Sequence, residues 1–346
     1  MKVAVITRHA ITNYGSLLQA LATQTVVEKM GHCCEIIDYI RDDEHYSQHE
    51  KTILKRKPEW NNNLIKRTLY LLLRQPESVL AGKRFEKAQR KYLKLTERYH
   101  TLEQLSNNIP SADVYMTGSD QVWGPTENGS YDSSYCLSFT KDTDKRIAYA
   151  ASFGHTEMTA ELEQYYRKWL SRYEYIAVRE DSAVAMIKEC GIDAYQVIDP
   201  TLLLDASFWN NYLSPIKIKN YVLVYQLHND ERLGRYAKRV ADEMNLPLIR
   251  ISASFHQITR EGKFVWCPEV GQFLSYIKNA TCMITDSFHG TRNMSILRMT
   301  GLSQRILRDE EDIQLAKNRI DFTETNEVLK EKRTESLEIL KKMIEE

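Results

Sequence analysis

Val3-Ala4-Val5-Ile6-Thr7, followed six residues later by Asn13-Tyr14-Gly15-Ser16, decides the fold. The first stretch is a continuous apolar run that reads as a buried strand, and the second is a turn of small and polar residues. Residues 17–30 carry apolar side chains at 17, 18, 21, 26 and 27, a helical spacing, and Gly31 stands where a helix ends. Glu35-Ile36-Ile37-Asp38-Tyr39-Ile40 reads as the next strand. Strand, turn, helix, strand is the unit of a parallel α/β sheet. The turn has no G-x-G-x-x-G, so the dinucleotide fingerprint is absent. Asn13, Tyr14, Gly15 and Ser16 instead lie at the carboxyl end of the first strand, where open α/β sheets bind ligands. The same residues serve equally well as an ordinary turn and helix cap.

The pattern repeats outward. Residues 112–117 form a strand pattern running into Gly118-Ser119-Asp120-Gln121-Val122-Trp123. Residues 146–154 form another, residues 158–173 an amphipathic helix, and Tyr175-Ile176-Ala177-Val178 a strand that delivers Arg179. A helix over 183–190 stops at Gly191, and a strand over 195–198 delivers Asp199-Pro200-Thr201. After a linker around 205–219 a second series starts: strand 221–225, helix 231–244, strand 246–251, helix 271–279 and strand 281–285. It ends on Asp286-Ser287-Phe288-His289-Gly290-Thr291, a strand-end turn whose hydroxyls and backbone N–H groups can face an anion. His289 can move a proton near neutral pH. Asp286 and Ser287 could as readily cap a helix. The expected domains are 1–210, 220–322 and a charged terminal helix over 323–346 with Leu329, Leu337, Leu340, Met343 and Ile344 inward. Two Rossmann-like α/β domains facing a cleft, with the site in that cleft, is the expected architecture.

At 346 residues the chain is long enough for about two domains. Hydrophobic content of 42% against 27% charged excludes a disordered chain. A formal net charge of zero gives no signal for nucleic acid. No apolar run approaches the ~20 residues that span a bilayer, and Arg8 and His9 interrupt any signal-peptide core, so a cytoplasmic protein is expected. The six cysteines form no CxxC pair, which implies reduced thiols and no zinc constellation. Residues 51–100 are a basic helical insertion with fourteen Lys and Arg against four Glu. Leu64, Ile65, Leu69, Leu72 and Leu73 mark one helical face, Phe85, Ala88, Tyr92 and Leu95 another, and Pro76 is expected to separate the two as a pair of helices. The pair is either a solvated structural element or a platform for an anionic partner, a membrane surface or a phosphate-bearing glycolipid.

Six segments in order carry a resemblance to a known family. They are Asn13-Tyr14-Gly15-Ser16-Leu17-Leu18-Gln19-Ala20, Gly118-Ser119-Asp120-Gln121-Val122-Trp123, Ala148-Tyr149-Ala150-Ala151-Ser152-Phe153-Gly154, Val178-Arg179-Glu180, Asp199-Pro200-Thr201-Leu202-Leu203 and Thr285-Asp286-Ser287-Phe288-His289-Gly290-Thr291. Together they resemble the polysaccharide pyruvyl transferase family. The resemblance implies a fold similar to the GT-B glycosyltransferases, phosphoenolpyruvate as co-substrate with no other cofactor and no metal, and a sugar or lipid-linked oligosaccharide as acceptor. The product is then a pyruvate ketal on a bacterial surface glycan such as an exopolysaccharide, made in the cytoplasm or peripherally at the inner face of the membrane. Under the resemblance His289 and Arg179 are catalytic. Arg179, Ser287, His289, Gly290 and Thr291 hold the donor. Asn13, Tyr14, Gly15, Ser16, Gly118, Ser119, Asp120 and Trp123 line the opposite wall or the acceptor site, and Asp199 and Asp286 brace the loops. An arginine suits the donor because its guanidinium forks onto a phosphate or carboxylate with two hydrogen bonds.

Two departures stand out. Some family members carry an arginine two residues before the histidine, where this chain has Ser287. The resemblance also implies a helix, a strand and a basic loop between Thr291 and Arg292-Asn293-Met294-Ser295-Ile296-Leu297, which this sequence joins directly, through loss of the piece or its omission from the sequence. A nucleotide-sugar glycosyltransferase and a non-catalytic glycan-binding protein are the alternatives on the same architecture.

Overall fold

The computed structural model describes the chain apart from residues 127, 229, 287–289 and 309–311 and the side chains of 256 and 290–294. The chain divides into two compact units, residues 1–204 with 330–346, and residues 205–329.

The first unit is built on β1 (Lys2–Ile6), β2 (Cys33–Tyr39), β3 (Leu95–Tyr99), β4 (Val114–Thr117), β5 (Lys145–Ala151), β6 (Tyr175–Val178) and β7 (Tyr195–Gln196). All pair in parallel, in the order β3-β2-β1-β4-β5-β6-β7. The order reverses between β1 and β4, so two connections leave that point in opposite directions and open a crevice at the carboxyl ends of the strands. β1 lies at the centre, with Val5 opposite both Ile36 and Met116. Val3, Ala4, Val5 and Ile6 have no exposed surface, which is why β1 is apolar throughout rather than alternating. Its helix, Tyr14–Lys29, is buried along most of its length.

The second unit repeats the plan with β8 (Val222–Tyr225), β9 (Leu248–Ser252), β10 (Lys263–Trp266) and β11 (Cys282–Thr285), all parallel, in the order β10-β9-β8-β11. Val222, Val224, Tyr236, Ala237 and Val240 form its core with Ile284 and Ile313. The expected α/β class with parallel sheets is therefore what the chain forms, twice.

The insertion differs from expectation. Pro76 does not split it: a single helix, Leu64–Tyr92, runs through the proline. Proline removes one backbone N–H and frees the carbonyl four residues back. Here Pro76 and Leu72 both face solvent, so water can satisfy that carbonyl and the helix continues. The buried side is Tyr70, Glu77, Ala81, Gly82, Phe85 and Gln89. The Phe85 ring packs tilted against that of Tyr14 with centroids 4.8 Å apart, and Gln89 Nε2 donates to the carbonyl of His9 at 3.0 Å. Gly82 is required because a Cβ there would lie 2.2 Å from Tyr46 Cγ. Leu95, grouped in the sequence with a helical face, belongs to the edge strand β3. The terminal helix Thr323–Glu345 buries Leu340, Met343 and Ile344 completely. Within the first unit it donates from Arg333 Nε to the carbonyl of Leu202 at 2.8 Å and accepts from the Ile198 N–H at 3.2 Å.

Among the described residues no helix is long and apolar enough to cross a membrane. The six cysteines are free thiols; Cys34, Cys136, Cys190 and Cys267 are buried and Cys33 is exposed.

Candidate functional site

The polar residues of the first unit gather at the carboxyl ends of its strands. Asn13 is extended and caps the helix Tyr14–Lys29, its Oδ1 accepting from the N–H groups of Gly15 at 2.8 Å and Ser16 at 3.4 Å. Ser16 Oγ donates to Asp120 Oδ2, whose other oxygen accepts from the Gln121 N–H at 2.8 Å. Asp120 has φ +88°, a conformation disfavoured for a non-glycine residue, and it makes a single parallel bridge with Ala151 beyond the end of β5. Gly118 lets this loop cross β1 closely, since a Cβ would stand 2.9 Å from Val5 Cγ1. Ser119 has no exposed surface, and its carbonyl accepts from Thr7 Oγ1 at 2.5 Å.

Arg179, directly after β6, is held by two carboxylates. Nη1 pairs with Asp199 Oδ2, and Nε lies 3.8 Å from Glu180 Oε1. Its side chain is 9% exposed, and Nη2 has no hydrogen-bond partner among the described residues. Asp199 also caps the turn Pro200–Leu203, with Oδ1 accepting from the Thr201 N–H at 2.9 Å and Oγ1 at 2.7 Å, and Ser119 Oγ reaches its other oxygen at 3.4 Å. Burial works against the Arg179 guanidinium, but Asp199, then Glu180 and Asp120, outweigh it and hold its pKa above the ordinary value. Burial likewise opposes the Asp199 carboxylate, and Arg179 with the Thr201 hydrogen bonds pulls its pKa below the usual carboxylate range.

Sequence reasoning missed Arg8, which belongs to the same cluster. It follows β1, pairs with the buried Glu44 and donates to the carbonyls of Gln121 at 3.4 Å and Pro125 at 3.3 Å. The signal was a charged residue directly after a buried strand. His155, four residues past β5, was also missed, and neither ring nitrogen has a hydrogen-bond partner among the described residues. The cluster is not a cationic anion trap: the guanidiniums of Arg8 and Arg179 face the carboxylates of Glu44, Asp120, Glu180 and Asp199.

Two expected wall residues are core instead. Trp123 is 1% exposed, 5.1 Å from the Phe153 ring and 6.3 Å from that of Tyr173, with Nε1 donating to the carbonyl of Tyr135 at 3.3 Å. Tyr14 is 2% exposed against Phe85. Buried rings present no surface to a sugar, so both are removed from the candidate site. The reason is local: Trp123 enters the core because its N–H bonds the carbonyl of Ser152 at 3.1 Å, folding the loop after β4 back onto β5.

In the second unit Asp286 accepts from the N–H groups of Leu227 at 2.6 Å and His228 at 3.0 Å, tying the loop after β8 to the end of β11. Ser287 and His289 lie outside the described residues. Gly290 and Thr291 open the helix Gly290–Met299, which carries the backbone straight across the Thr291–Arg292 junction; their side chains are outside the description. Nearer β9 the structure shows a cationic group that the sequence did not single out. Arg250, 1% exposed, donates from Nη1 to Gln226 Oε1 at 3.1 Å, and Arg260 Nη1 donates to the same oxygen at 2.8 Å. Two cations thus share one neutral acceptor. Burial, then the neighbouring Arg260, push the Arg250 pKa down, and Glu261 only partly offsets them.

Among the described residues no group of three or more His, Cys, Asp or Glu could hold a metal ion.

Fold and strand-end clusters define a two-unit α/β protein, each unit wound on a parallel sheet with its polar residues at the strand ends. The family profile described as polysaccharide pyruvyl transferase matches residues 13–291, and the chain belongs to that family. That match stops at Thr291. A comparison with curated protein sequences gives no match. Among solved structures, UDP-N-acetylglucosamine 2-epimerase from Rickettsia bellii aligns with a TM-score of 0.49 at 13% identity, over 98% of this chain and 96% of that one. An alpha-glucosyltransferase in complex with UDP and a 13-mer DNA aligns with a TM-score of 0.48 at 8% identity, over 98% and 95%. UDP-GlcNAc 2-epimerase from Neisseria meningitidis aligns with a TM-score of 0.43 at 9% identity, over 100% and 94%.

Proposed function

We propose that the protein transfers pyruvate from phosphoenolpyruvate onto two hydroxyls of a sugar, in a surface polysaccharide or its lipid-linked precursor, as a ketal. The observation that carries the reading is the family match across residues 13–291. In the balanced reaction the donor's methylene carbon takes a proton and becomes a methyl group. One sugar hydroxyl adds to the central carbon as the bond to the phosphate oxygen breaks, and the second hydroxyl closes the ketal. Of the two hydroxyl protons, one balances the methyl group and the other leaves with inorganic phosphate.

The chemistry asks for a proton-transfer group and for cations around the donor. His289 is the acid or base of the reading, a role that contributes about 10²–10⁴-fold. Arg179 retains Nη2 for a carboxylate or phosphate oxygen while its other nitrogens are held by Asp199 and Glu180. Arg250 and Arg260, which both donate to the amide oxygen of Gln226, add positive charge to the second unit, where the sequence has no arginine at Ser287. Asp199 and Asp286 position backbone, and Asp120 with Ser16 presents polar groups suited to sugar hydroxyls.

The test is phosphate release from phosphoenolpyruvate against a panel of lipid-linked and nitrophenyl sugars, with nucleotide sugars offered in parallel. Release that falls at least about 10²-fold in His289→Ala is expected. Consumption of a nucleotide sugar without use of phosphoenolpyruvate assigns the chain to the glycosyltransferase alternative. Folded protein that turns over neither donor supports a non-catalytic glycan-binding role.

A further inference from the structure

The helix Leu64–Tyr92 has an outward face with no partner. Ile65, Leu69, Leu72, Pro76, Leu80, Lys83 and Lys87 recur at steps of three and four residues and are all exposed. At 3.6 residues per turn they form one stripe. Its first half is apolar and widened by Leu73; Ile65 is 79% exposed, Leu72 68% and Leu73 66%. Its second half is cationic, and Arg90 and Lys91 extend it, exposed. The opposite face packs on the first unit through Tyr70, Ala81, Phe85 and Gln89. The apolar stripe is therefore not a core awaiting a neighbour within this unit.

Charge decides what covers such a face. The helix carries eight Lys and Arg against two Glu. Glu77 is buried beside Arg74, and Glu86 is engaged by Arg98 at 2.7 Å, by Tyr46 at 2.8 Å and by Arg90 at 3.1 Å, so an acid meets only the far end of the stripe and Lys83 and Lys87 keep their charge. A second copy of the chain would bring one cationic face against another. An anionic lipid surface complements both halves at once, with acyl chains meeting the leucines and headgroups the lysines. We infer that the outward face of the helix Leu64–Tyr92 docks the protein on an anionic bilayer surface, with the 64–80 half inserted and the 83–91 half on the headgroups. This inference is independent of the pyruvyl transfer reading.

The experiment is flotation of the full-length protein with phosphatidylcholine vesicles containing a one-third share of phosphatidylglycerol, and with phosphatidylcholine alone. Binding to the anionic vesicles that weakens with added salt is expected. Ile65→Ser/Leu69→Ser/Leu72→Ser/Leu80→Ser and Lys83→Glu/Lys87→Glu should each lower the bound fraction about tenfold or more. These side chains are exposed, so circular dichroism should be unchanged and the loss is read on folded protein. Three results overturn the inference: no flotation of the parent protein with anionic vesicles; flotation that both variants retain; or a dimer in sedimentation that the serine variant dissociates while vesicles are ignored, which assigns the face to a second copy.

Discussion

Arg179 and Arg250 are both almost buried, and their surroundings are opposite. Arg179 sits between Asp199 and Glu180, and its pKa is raised. Arg250 sits beside Arg260 against the amide oxygen of Gln226, and its pKa is lowered. One guanidinium is stabilised by its environment, and the other is held against the cost of burial. A neutralised cation fixes loops and has little charge to offer a ligand, whereas an under-neutralised cation is strained by its site and gains by meeting an anion. By that criterion the two guanidiniums should respond to substitution with opposite signs.

The largest effect that could break this contrast is on Arg179. Arg179→Met leaves Asp199 and Glu180 partly buried with no cation, and removing one partner of such a pair costs about 3–5 kcal/mol. Hydrogen exchange of the β5 and β6 amides should show the loss, because the Arg179 N–H bonds Ala151 at the end of β5. Unchanged protection would mean that the carboxylates are not depending on the guanidinium. Arg179→Lys should retain part of the protection, since a point charge cannot span both partners as the guanidinium does.

Acid should give a smaller effect of the same kind. The Asp199 pKa lies lower in the folded chain than in the unfolded one. Its contribution is therefore complete above the ordinary aspartate value of about 4 and is lost as pH falls through the depressed folded value. A pH series of β6 amide protection should fall on that acid limb, and Asp199→Asn should flatten it. A limb that persists in Asp199→Asn would place the titration elsewhere.

How much of this was legible in the sequence follows from range. Apolar runs such as Val3-Ala4-Val5-Ile6 announce buried parallel strands because burial on both faces removes every polar residue, and β6 fell on its expected residues. Asn13 was readable as a cap because its bonds are local. Leu95 was misread because β3 is an edge strand, defined by a partner far away in the chain. Pro76 was read as a break because its cost depends on whether the freed carbonyl meets water, which the sequence does not state. Trp123 was placed on a ligand wall by its motif, and only the packing of Phe153 and Tyr173 reveals it as core. Arg250 was invisible for a similar reason: within Leu248–Ser252 it reads as the polar residue of a strand, and its significance arises from Gln226 and Arg260, brought close by folding.

The smallest expected change in stability is also the one that best separates the two arginines. Arg250→Met replaces a buried charge, whose pKa is lowered by burial, with an apolar side chain. The desolvation cost disappears, while Gln226 Oε1 still accepts from Arg260 at 2.8 Å. Protection of the β8 and β9 amides should stay within about 1 kcal/mol of the parent or rise above it, opposite in sign to Arg179→Met. Phosphate release from phosphoenolpyruvate should fall in the same variant if the pair meets the donor, so stability and turnover move apart as they do where a site is held under strain. A loss of protection as large as that of Arg179→Met would show that Arg250 is a structural cation like Arg179, and the distinction between the two arginines would collapse.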